Sequence, residues 1–324
     1  NQVILKKHYF IYQIFMKKIG ITGGSGFIGH QIITLLLEKK YKVKSCDLAK
    51  PKNYLLKNKN FTFRKINLFD EKKLSTFFSD VDCVIHLAAY LGVLNTEKNP
   101  LECLNTNILG TKAILNVVSK NRIKKFIFSS SSEVYGDQDK FPIKESYEYK
   151  IKSNYALSKI TSEFYVKSYA KKYNFNYNIV RFFNVYGSGQ KTNFVISKFI
   201  SQVLNSKNLT VYGKGNQVRA FCNVKDAALG LFLTLIKGKK NTTYNIGNNN
   251  QPISMYNLAR LIKGLSKSNV KIIKTRFEKS DRLKEREIFK RYPDLKKIKK
   301  DTGYIPKKSL DEGIIQLLKQ LNEI

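Results

Sequence analysis

The stretch TGGSGFIG at residues 22–29 carries a glycine at every third position from Gly23 onward. The apolar residues 19–22 before it predict a buried strand, and the apolar spacing of residues 28–38 after it predicts a helix. Asp47 stands 18 residues beyond the last of these glycines, at the end of a second predicted strand. A glycine turn between strand and helix, followed at this distance by an acidic residue, is typical of a dinucleotide-binding βαβ unit.

Each residue of this motif has a physical reason for its position. Gly23 allows a tight turn, Gly26 lets backbone amides approach a pyrophosphate at the helix N-terminus, and Gly29 allows the helix to pack closely on the strand. Asp47 would accept hydrogen bonds from the hydroxyls of an adenosine ribose, and its charge would repel a 2′-phosphate. The motif therefore predicts NAD, rather than NADP, as the cofactor.

Short apolar runs alternate with amphipathic stretches up to about residue 190. The predicted strands are residues 19–22, 42–46, 61–66, 81–88, 125–129 and 178–183. The predicted helices are residues 28–38, 71–78, 105–119 and 153–173. This alternation predicts an α/β fold, a Rossmann doubly wound parallel sheet with helices on both faces.

The pattern loosens after Gly187 into mixed helices, short strands and basic loops. We therefore expect residues 16–187 to form the NAD-binding domain. Residues 188–324 should form mainly a smaller substrate-binding lobe, and a return of some of its segments to the sheet is compatible with this pattern. Residues 1–15 are apolar but interrupted by charge and too short to span a bilayer, so we expect an extension outside the fold, with Met16 as the natural start.

Positive charge dominates the composition, because 59 Lys and Arg against 24 Asp and Glu give a net charge of +35. Such a charge permits association with nucleic acids or anionic surfaces. The lysines are scattered along the chain, so we attribute the charge to a lysine-rich background and expect no specific nucleic acid partner. The hydrophobic share of 42% is ample for a packed globular protein and argues against global disorder.

Cysteine and histidine usage carries no metal signature. The four cysteines lack CxxC spacing and lie mostly in apolar runs, which predicts small buried side chains in a reducing compartment, and hence a cytoplasmic protein. They are Cys46, Cys83, Cys103 and Cys222. The three histidines, at positions 8, 30 and 86, do not form a ligand cluster, so we expect no metal.

A second motif predicts chemistry. SSSSEVYG at residues 129–136 directly follows a predicted buried strand, and Tyr155 and Lys159 stand four residues apart in a predicted helix, on one face. A neighbouring ammonium stabilises a phenolate, so we expect Lys159 to lower the pKa of Tyr155. Such a pair can move a proton to and from a sugar hydroxyl. The same spacing of tyrosine and lysine occurs on many surface helices, so it is weak evidence by itself. The glycine motif and the serine run in the same chain favour a reactive site here.

Several motifs in register resemble one family. They are TGGSGFIG, HLAAY (86–90), NTNILGT (105–111), SSSSEVYG, YALSK (155–159), RFFNVYG (181–187), VYGKGNQVRAF (211–221), YNIGN (244–248) and DTGYIPKKSLDEGI (301–314). From about residue 17 to its end the chain resembles an extended short-chain dehydrogenase/reductase of the nucleotide-sugar epimerase/dehydratase family, similar to UDP-glucose 4-epimerases. The resemblance implies a Rossmann domain with a C-terminal nucleotide-sugar lobe, tightly held NAD, a UDP-linked substrate, no membrane span, and often a homodimer formed through a helical bundle.

The resemblance also implies roles for individual residues. Tyr155 would be the acid/base, Lys159 would also hold the nicotinamide ribose, and Ser131 would bind the sugar hydroxyl. The implied cofactor contacts are Gly23, Gly26, Phe27, Ile28, Gly29, Asp47, Asn67, Leu68, Leu87, Ala88, Ala89, Asn107, Tyr155, Lys159 and Phe183. Asn67 stands where an aspartate is common, which keeps an acceptor oxygen but removes a charge.

For the nucleotide sugar, the resemblance implies contacts to the diphosphate and uridine. The matching residues are Asn184, Asn193, Phe194, Tyr212 and Arg219. A second arginine is expected near the C-terminus, where Arg282, Arg286 and Arg291 compete for the role. Arg286 is taken as the candidate, although the spacing does not decide among the three.

Three functions fit these residues. The first is epimerisation at C4 through a transient 4-keto sugar, with hydride passing to and from NAD. The second is the same oxidation followed by decarboxylation or dehydration, with Glu133 as the base. In similar dehydratases an acid often stands at the position of Ser132, whereas Glu133 could simply order its loop. The third is a non-catalytic NAD-binding protein with nucleic-acid affinity, against which the intact Ser131, Tyr155 and Lys159 argue.

Overall fold

Seven parallel strands form the central sheet in a computed structural model that describes residues 16–276 and 287–322. The strands are β1 (Lys18–Thr22), β2 (Lys42–Asp47), β3 (Phe61–Lys65), β4 (Cys83–His86), β5 (Lys125–Ser131), β6 (Asn176–Phe182) and β11 (Thr242–Ile246). Their spatial order is β11-β6-β5-β4-β1-β2-β3, and each neighbouring pair is parallel. The order reverses between β1 and β4, so the carboxyl ends of these two strands flank a crevice, the usual ligand position in such sheets.

Helices cover both faces of this sheet. The helices of the described residues are α1 (Phe27–Glu38), α2 (Asn53–Leu56), α3 (Glu71–Phe77), α4 (Val93–Lys98), α5 (Pro100–Leu104), α6 (Gly110–Lys120), α7 (Asn154–Tyr173), α8 (Val195–Leu204), α9 (Val224–Lys237), α10 (Met255–Leu265), α11 (Lys296–Thr302) and α12 (Leu310–Asn322). One buried cluster packs α1 and α9 against the sheet, and a second packs α3, α6 and α7 against its other face. Burial on both faces explains why the strands are nearly continuous apolar runs.

The predicted fold class is confirmed, and the predicted strands and helices of the sheet all form. The boundaries differ where the chain approaches the crevice. The strand predicted at 81–88 ends at His86, and the helix predicted at 105–119 begins with a π-helical turn (Asn105–Leu109). The short helices α4 and α5 were not predicted, because stretches of five or six residues carry too few apolar positions to show a period.

The C-terminal lobe has its own apolar core, built from α8, α10 and α12. Its short strands are β7 (Val185–Tyr186), β8 (Leu209–Tyr212), β9 (Val218–Arg219), β10 (Cys222–Asn223), β12 (Ile253–Ser254), β13 (Ile272–Thr275) and β14 (Lys290–Arg291). Between lobe segments the chain returns to the large sheet, where β11 pairs with β6 and α9 packs on α1. The lobe therefore lies beside the carboxyl edge of the sheet.

Two further features bear on the sequence-based expectations. All four cysteines are free and buried, as predicted. In residues 16–276 and 287–322, no helix combines the length and the apolar character that crossing a bilayer requires.

Candidate active site

The glycine motif forms a turn with no room for side chains. Gly23 has a φ of +75°, and a Cβ there would lie 2.4 Å from the backbone nitrogen of Ala88. A Cβ at Gly29 would lie 2.3 Å from the carbonyl oxygen of Gly23. Gly26 precedes the first residue of α1, and among the described residues no side chain caps this helix end. The helix N-terminus thus presents backbone N–H groups to the crevice, an arrangement that suits the pyrophosphate of a dinucleotide.

Asp47 joins the second strand to this turn. Its carboxylate accepts hydrogen bonds from the backbone N–H of Ser25 at 3.0 Å, of Leu48 at 2.7 Å and of Ala49 at 3.2 Å. The carboxylate is thereby held at the end of β2, beside the glycine turn. A cradle that any Cβ would fill, with a fixed carboxylate at its edge, fits the pyrophosphate and the adenosine ribose of NAD.

The other predicted cofactor contacts are spread around the crevice. Asn67 is exposed, and its side-chain oxygen accepts a hydrogen bond from the backbone of Phe69 at 3.1 Å. The side chain of Leu68 packs against Gly110. Phe27, Ile28 and residues 87–89 are partly buried next to the glycine turn or after β4. Phe183 is fully buried, with its ring 5.9 Å from that of Tyr135.

Replacing Gly29 by alanine is expected to weaken NAD binding by about 10- to 100-fold, because the added methyl group overpacks the turn. Gly264→Ala is the matched control, since this helical glycine has nothing within 4 Å of a Cβ. The measurement is the NAD content of the purified proteins, followed by calorimetric titration with NAD. Equal NAD affinity in the two variants would show that the close approach at Gly29 does not matter for binding.

Asn107 ties the loop after β4 to α7. It lies in the π-helical turn and is buried. Its side-chain oxygen accepts a hydrogen bond from the backbone N–H of Tyr90 at 2.8 Å, and its amide donates to the Tyr90 carbonyl at 3.1 Å and to Ser158 at 3.0 Å. π-Helical turns are frequent at functional sites. Here the turn places the Asn107 amide between the loop after β4 and helix α7, and the amide is hydrogen-bonded to both.

The predicted reactive residues meet at the carboxyl end of β5. The Ser131 hydroxyl lies close enough to the phenol of Tyr155 to lower its pKa. Lys159 is buried, its ammonium donates to the Ser129 carbonyl at 2.8 Å, and it lies 5.7 Å from the ring centre of Tyr155. The phenol, the hydroxyl and the ammonium are therefore brought together as the sequence predicts.

Burial dominates the electrostatics of this group. It raises the pKa of Tyr155, and the nearby Glu133 and Cys103 raise that pKa further, whereas the Ser131 hydroxyl and Arg291 lower it. Burial also lowers the pKa of Lys159 to about 8. The pKa of Tyr155 is raised overall, where the sequence predicts a lowered value, because desolvation of the phenolate outweighs the favourable charges.

Glu133 lies beside this phenol and has two polar neighbours. Its carboxylate accepts a hydrogen bond from the Ser153 hydroxyl at 3.3 Å and forms an ion pair with Arg291 at 3.6 Å. Arg291 also donates to the side-chain oxygen of Asn184 at 3.2 Å. Of the three competing arginines, Arg291 thus reaches the site, whereas Arg282 and Arg286 lie outside the described residues.

The remaining predicted substrate residues lie on the lobe side of the crevice. Arg219 stands opposite Arg291 in the β9–β14 pair, and its guanidinium forms an ion pair with Glu287 at 3.0 Å. Tyr212 ends β8 and accepts a hydrogen bond from Lys198 at 3.0 Å. Asn184, with a φ of +38°, follows β6, while Asn193 and Phe194 precede α8.

Sequence reasoning missed a buried polar group beneath the reactive residues. Glu163 and Arg181 form an ion pair at 2.7 Å, with side chains 0% and 3% exposed. The signal was present, because Glu163 continues the four-residue spacing of Tyr155 and Lys159 along α7. Its partner Arg181 lies on another strand, which no local pattern indicates.

Comparison with known proteins agrees with this geometry. Residues 19–247 match the sequence profile of the NAD dependent epimerase/dehydratase family. A protein of Methanocaldococcus jannaschii with the provisional name UDP-glucose 4-epimerase is 35% identical over 301 residues, covering 91% of this chain and 95% of that protein. A UDP-N-acetyl-alpha-D-glucosaminuronate decarboxylase of Bacillus cytotoxicus is 33% identical over 322 residues, covering 95% of this chain and 98% of that protein.

The crystal structure of Thermotoga maritima UDP-glucose 4-epimerase with UDP-glucose has a TM-score of 0.86 at 30% identity, covering 94% of this chain and 99% of that chain. The chain therefore belongs to the NAD-dependent epimerase/dehydratase family, enzymes that act on nucleotide sugars with NAD as cofactor.

Proposed function

We propose that the protein is a nucleotide-sugar 4-epimerase that acts on a UDP-linked hexose. The observation that carries this proposal is that Ser131, Tyr155 and the buried Lys159 meet at the carboxyl edge of the sheet, where Lys159 lies 5.7 Å from the Tyr155 ring centre and donates to the Ser129 carbonyl. This group lies on the same edge as the glycine turn and Asp47. A proton-moving phenol beside a dinucleotide site supports oxidation and reduction of a sugar hydroxyl.

NAD held by the glycine turn and Asp47 would supply the acceptor and donor for the hydride at C4 of the sugar. Ser131 orients the 4-hydroxyl, and Tyr155 in its phenolate form removes the hydroxyl proton. The resulting 4-keto sugar turns over in the crevice, and Tyr155 gives the proton back after reduction on the opposite face. Burial raises the pKa of Tyr155, whereas the Ser131 hydroxyl and the charge of Arg291 lower it and so favour the phenolate that this step needs.

On the substrate side, we propose Arg291 in place of Arg286 as the arginine that binds the diphosphate. A guanidinium donates two parallel hydrogen bonds to phosphate oxygens, which makes arginine well suited to this contact. Arg291 lies next to Asn184, another predicted substrate residue. UDP is favoured as the nucleotide because the relatives described above are named for UDP-sugar substrates.

A second candidate is a decarboxylase or dehydratase. The observation that favours it is the carboxylate of Glu133, which is close enough to raise the pKa of Tyr155. Its contacts with Ser153 and Arg291, however, are those of a carboxylate that orders its loop. Ser132, where similar dehydratases often have an acid, is buried and 2% exposed. These two observations favour the epimerase.

The deciding experiment is product analysis with the purified protein. Bound NAD is released and identified, and the protein is incubated with UDP-glucose, UDP-N-acetylglucosamine and UDP-glucuronate. Products are analysed by mass spectrometry and NMR. A C4 epimer of unchanged mass supports the proposal, whereas loss of carbon dioxide or water would establish the second candidate.

Glu133→Gln separates the two candidates. It is expected to change epimerase turnover by less than about 10-fold, because no epimerase step needs a second base. An enzyme that uses Glu133 as the C5 base would lose about 10²- to 10⁴-fold. Glu102→Gln, at an exposed position of α5, is the matched control. The measurement is the steady-state rate with the best substrate, and a loss above 100-fold would contradict the epimerase assignment.

Assembly and location are also proposed. We expect a homodimer. Large apolar side chains support this expectation, because they are exposed on the neighbouring elements α5, the π-helical turn and α7: Leu101 is 71% exposed, Leu109 46% and Phe164 54%. The four free thiols favour the cytoplasm.

A further inference from the structure

We propose that Glu163 is a positioning residue for the reaction, because it holds the strand end that carries Ser131 against the helix that carries Tyr155 and Lys159. The inference rests on one part of the proposed function, the oxidation of the sugar hydroxyl. The epimerase and the decarboxylase or dehydratase share this step. The carboxylate itself lies beneath the reactive residues and is fully buried.

The first step of the argument is a face of α7. Tyr155, Lys159 and Glu163 follow one another at intervals of four residues, so their side chains lie in one row along the helix. Each of them contacts the end of β5. The phenol of Tyr155 lies beside the Ser131 hydroxyl, which lowers its pKa, and Lys159 donates to the Ser129 carbonyl at 2.8 Å. Glu163 accepts a hydrogen bond from Ser130 at 2.5 Å, which anchors the residue directly before Ser131.

The second step is the environment that fixes Glu163. Arg181 stands opposite Ser130 on β6 and donates to both carboxylate oxygens, from Nε at 2.9 Å and from Nη2 at 2.7 Å. Tyr149, in the connection between β5 and α7, donates to the same carboxylate at 2.8 Å. A bidentate arginine restricts the carboxylate to one orientation. The strand, the helix and their connection therefore meet at one rigid acceptor.

The third step is what this acceptor does for the reaction. If Glu163 moves, Ser130 moves with it, and the distance between Ser131 and Tyr155 changes. Misplacing reactive groups by about 1 Å can lower a rate by about 100-fold. The contacts of Glu163 thus control geometry in the site without touching the substrate.

Glu163 also acts on Lys159 through its charge. Burial lowers the pKa of Lys159, and the Cys103 thiol of α5 and Glu163 one turn away raise it. His86 of β4 also faces this ammonium, and the Tyr155 ring packs beside it. Without the Glu163 charge, and with Arg181 still present, Lys159 should lose its proton at lower pH.

The test uses variants that remove one contact each. Ser130→Ala and Tyr149→Phe each remove one hydrogen bond to Glu163, and Glu163→Gln removes the charge. Glu163→Asp keeps the charge and serves as the conservative rescue. The matched controls lose a comparable hydrogen bond elsewhere: Tyr169→Phe loses its bond to Asn116 of 2.8 Å, and Ser75→Ala loses its bond to Asn121 of 2.8 Å.

The first readout is the single-turnover reduction of bound NAD by the nucleotide sugar, followed by the near-ultraviolet absorbance of the nicotinamide. Ser130→Ala and Tyr149→Phe are expected to slow it by about 10-fold, and Glu163→Gln by about 100-fold, with KM and NAD content unchanged. The second readout needs no substrate: competitive labelling of Lys159 with acetic anhydride as a function of pH, read by mass spectrometry. The labelling midpoint should move to lower pH in Glu163→Gln and return towards the wild-type value in Glu163→Asp.

Rates of Ser130→Ala and Tyr149→Phe that match those of the controls would overturn the proposal. So would a Lys159 labelling midpoint that does not move in Glu163→Gln. The thermal unfolding temperature of every variant is measured as well. A rate of NAD reduction that falls only in proportion to the loss of thermal stability would also count against a positioning role. A decarboxylated or dehydrated product would overturn the epimerase assignment and leave this inference unchanged. The NAD reduction precedes the step that distinguishes the reactions, and the labelling of Lys159 needs no substrate.

Discussion

Tyr155→Phe is expected to lower turnover by about 10²- to 10⁴-fold while leaving the fold and the bound NAD intact. The substitution removes one hydroxyl group, which is the group beside the Ser131 hydroxyl. The ring remains to pack beside Lys159, and Lys159 keeps its own contact with the Ser129 carbonyl. Only the proton-moving group is therefore lost. The measurement is the steady-state rate of epimer formation, together with the NAD content of the purified variant.

Tyr169→Phe is the control for this prediction, because Tyr169 lies on the same helix and its hydroxyl is hydrogen-bonded to Asn116, away from the reactive residues. The control should keep wild-type turnover. If Tyr155→Phe also kept near-normal turnover, another group would have to move the proton, and the proposed role of Tyr155 would be wrong.

Arg181→Met is expected to lower the free energy of unfolding by about 3–5 kcal/mol, because it leaves the buried carboxylate of Glu163 without its counter-ion. Both side chains of this pair are almost completely buried. The double variant Arg181→Met/Glu163→Met should recover most of the loss, since replacing a whole buried ion pair by apolar groups of similar size is often neutral. Urea unfolding of the two variants measures both effects.

An exposed ion pair provides the comparison. Lys150 and Asp139 lie 3.4 Å apart, with side chains 43% and 93% exposed. Lys150→Met should change the free energy of unfolding by less than about 1 kcal/mol, because water screens such pairs. If Arg181→Met cost no more than Lys150→Met, the buried pair would not be a strong constraint on the fold.

The reactive side chains could be predicted from sequence because their determinants are local. The serine run at 129–136 follows an apolar strand, and β5 indeed extends through Ser131 to the edge of the sheet. Residues four apart lie on the same face of any α-helix, so Tyr155 and Lys159 share a face of α7. The charge state of this group could not be predicted, because the pKa of Tyr155 depends on desolvation by elements that are distant in the chain.

The choice among the C-terminal arginines shows the same limit. Arg282, Arg286 and Arg291 are equivalent in the sequence pattern, and Arg286 was taken as the candidate. In the structure Arg291 reaches Glu133 and Asn184. It does so because β14 pairs with β9, a contact between segments far apart in the chain. No periodicity within either segment indicates that pairing.

The sequence by itself determined the α/β fold and predicted the glycine turn for NAD and the reactive residues, because periodicity and glycine spacing act over a few neighbouring residues. Only the tertiary structure decided that Arg291 lies beside Glu133 and Asn184, what holds the serine run against α7, and that burial raises the pKa of Tyr155. Glu163 and Arg181 illustrate the reason, since one lies on α7 and the other on β6. Their pairing, like the burial of Tyr155, exists only once the helix has packed on the sheet.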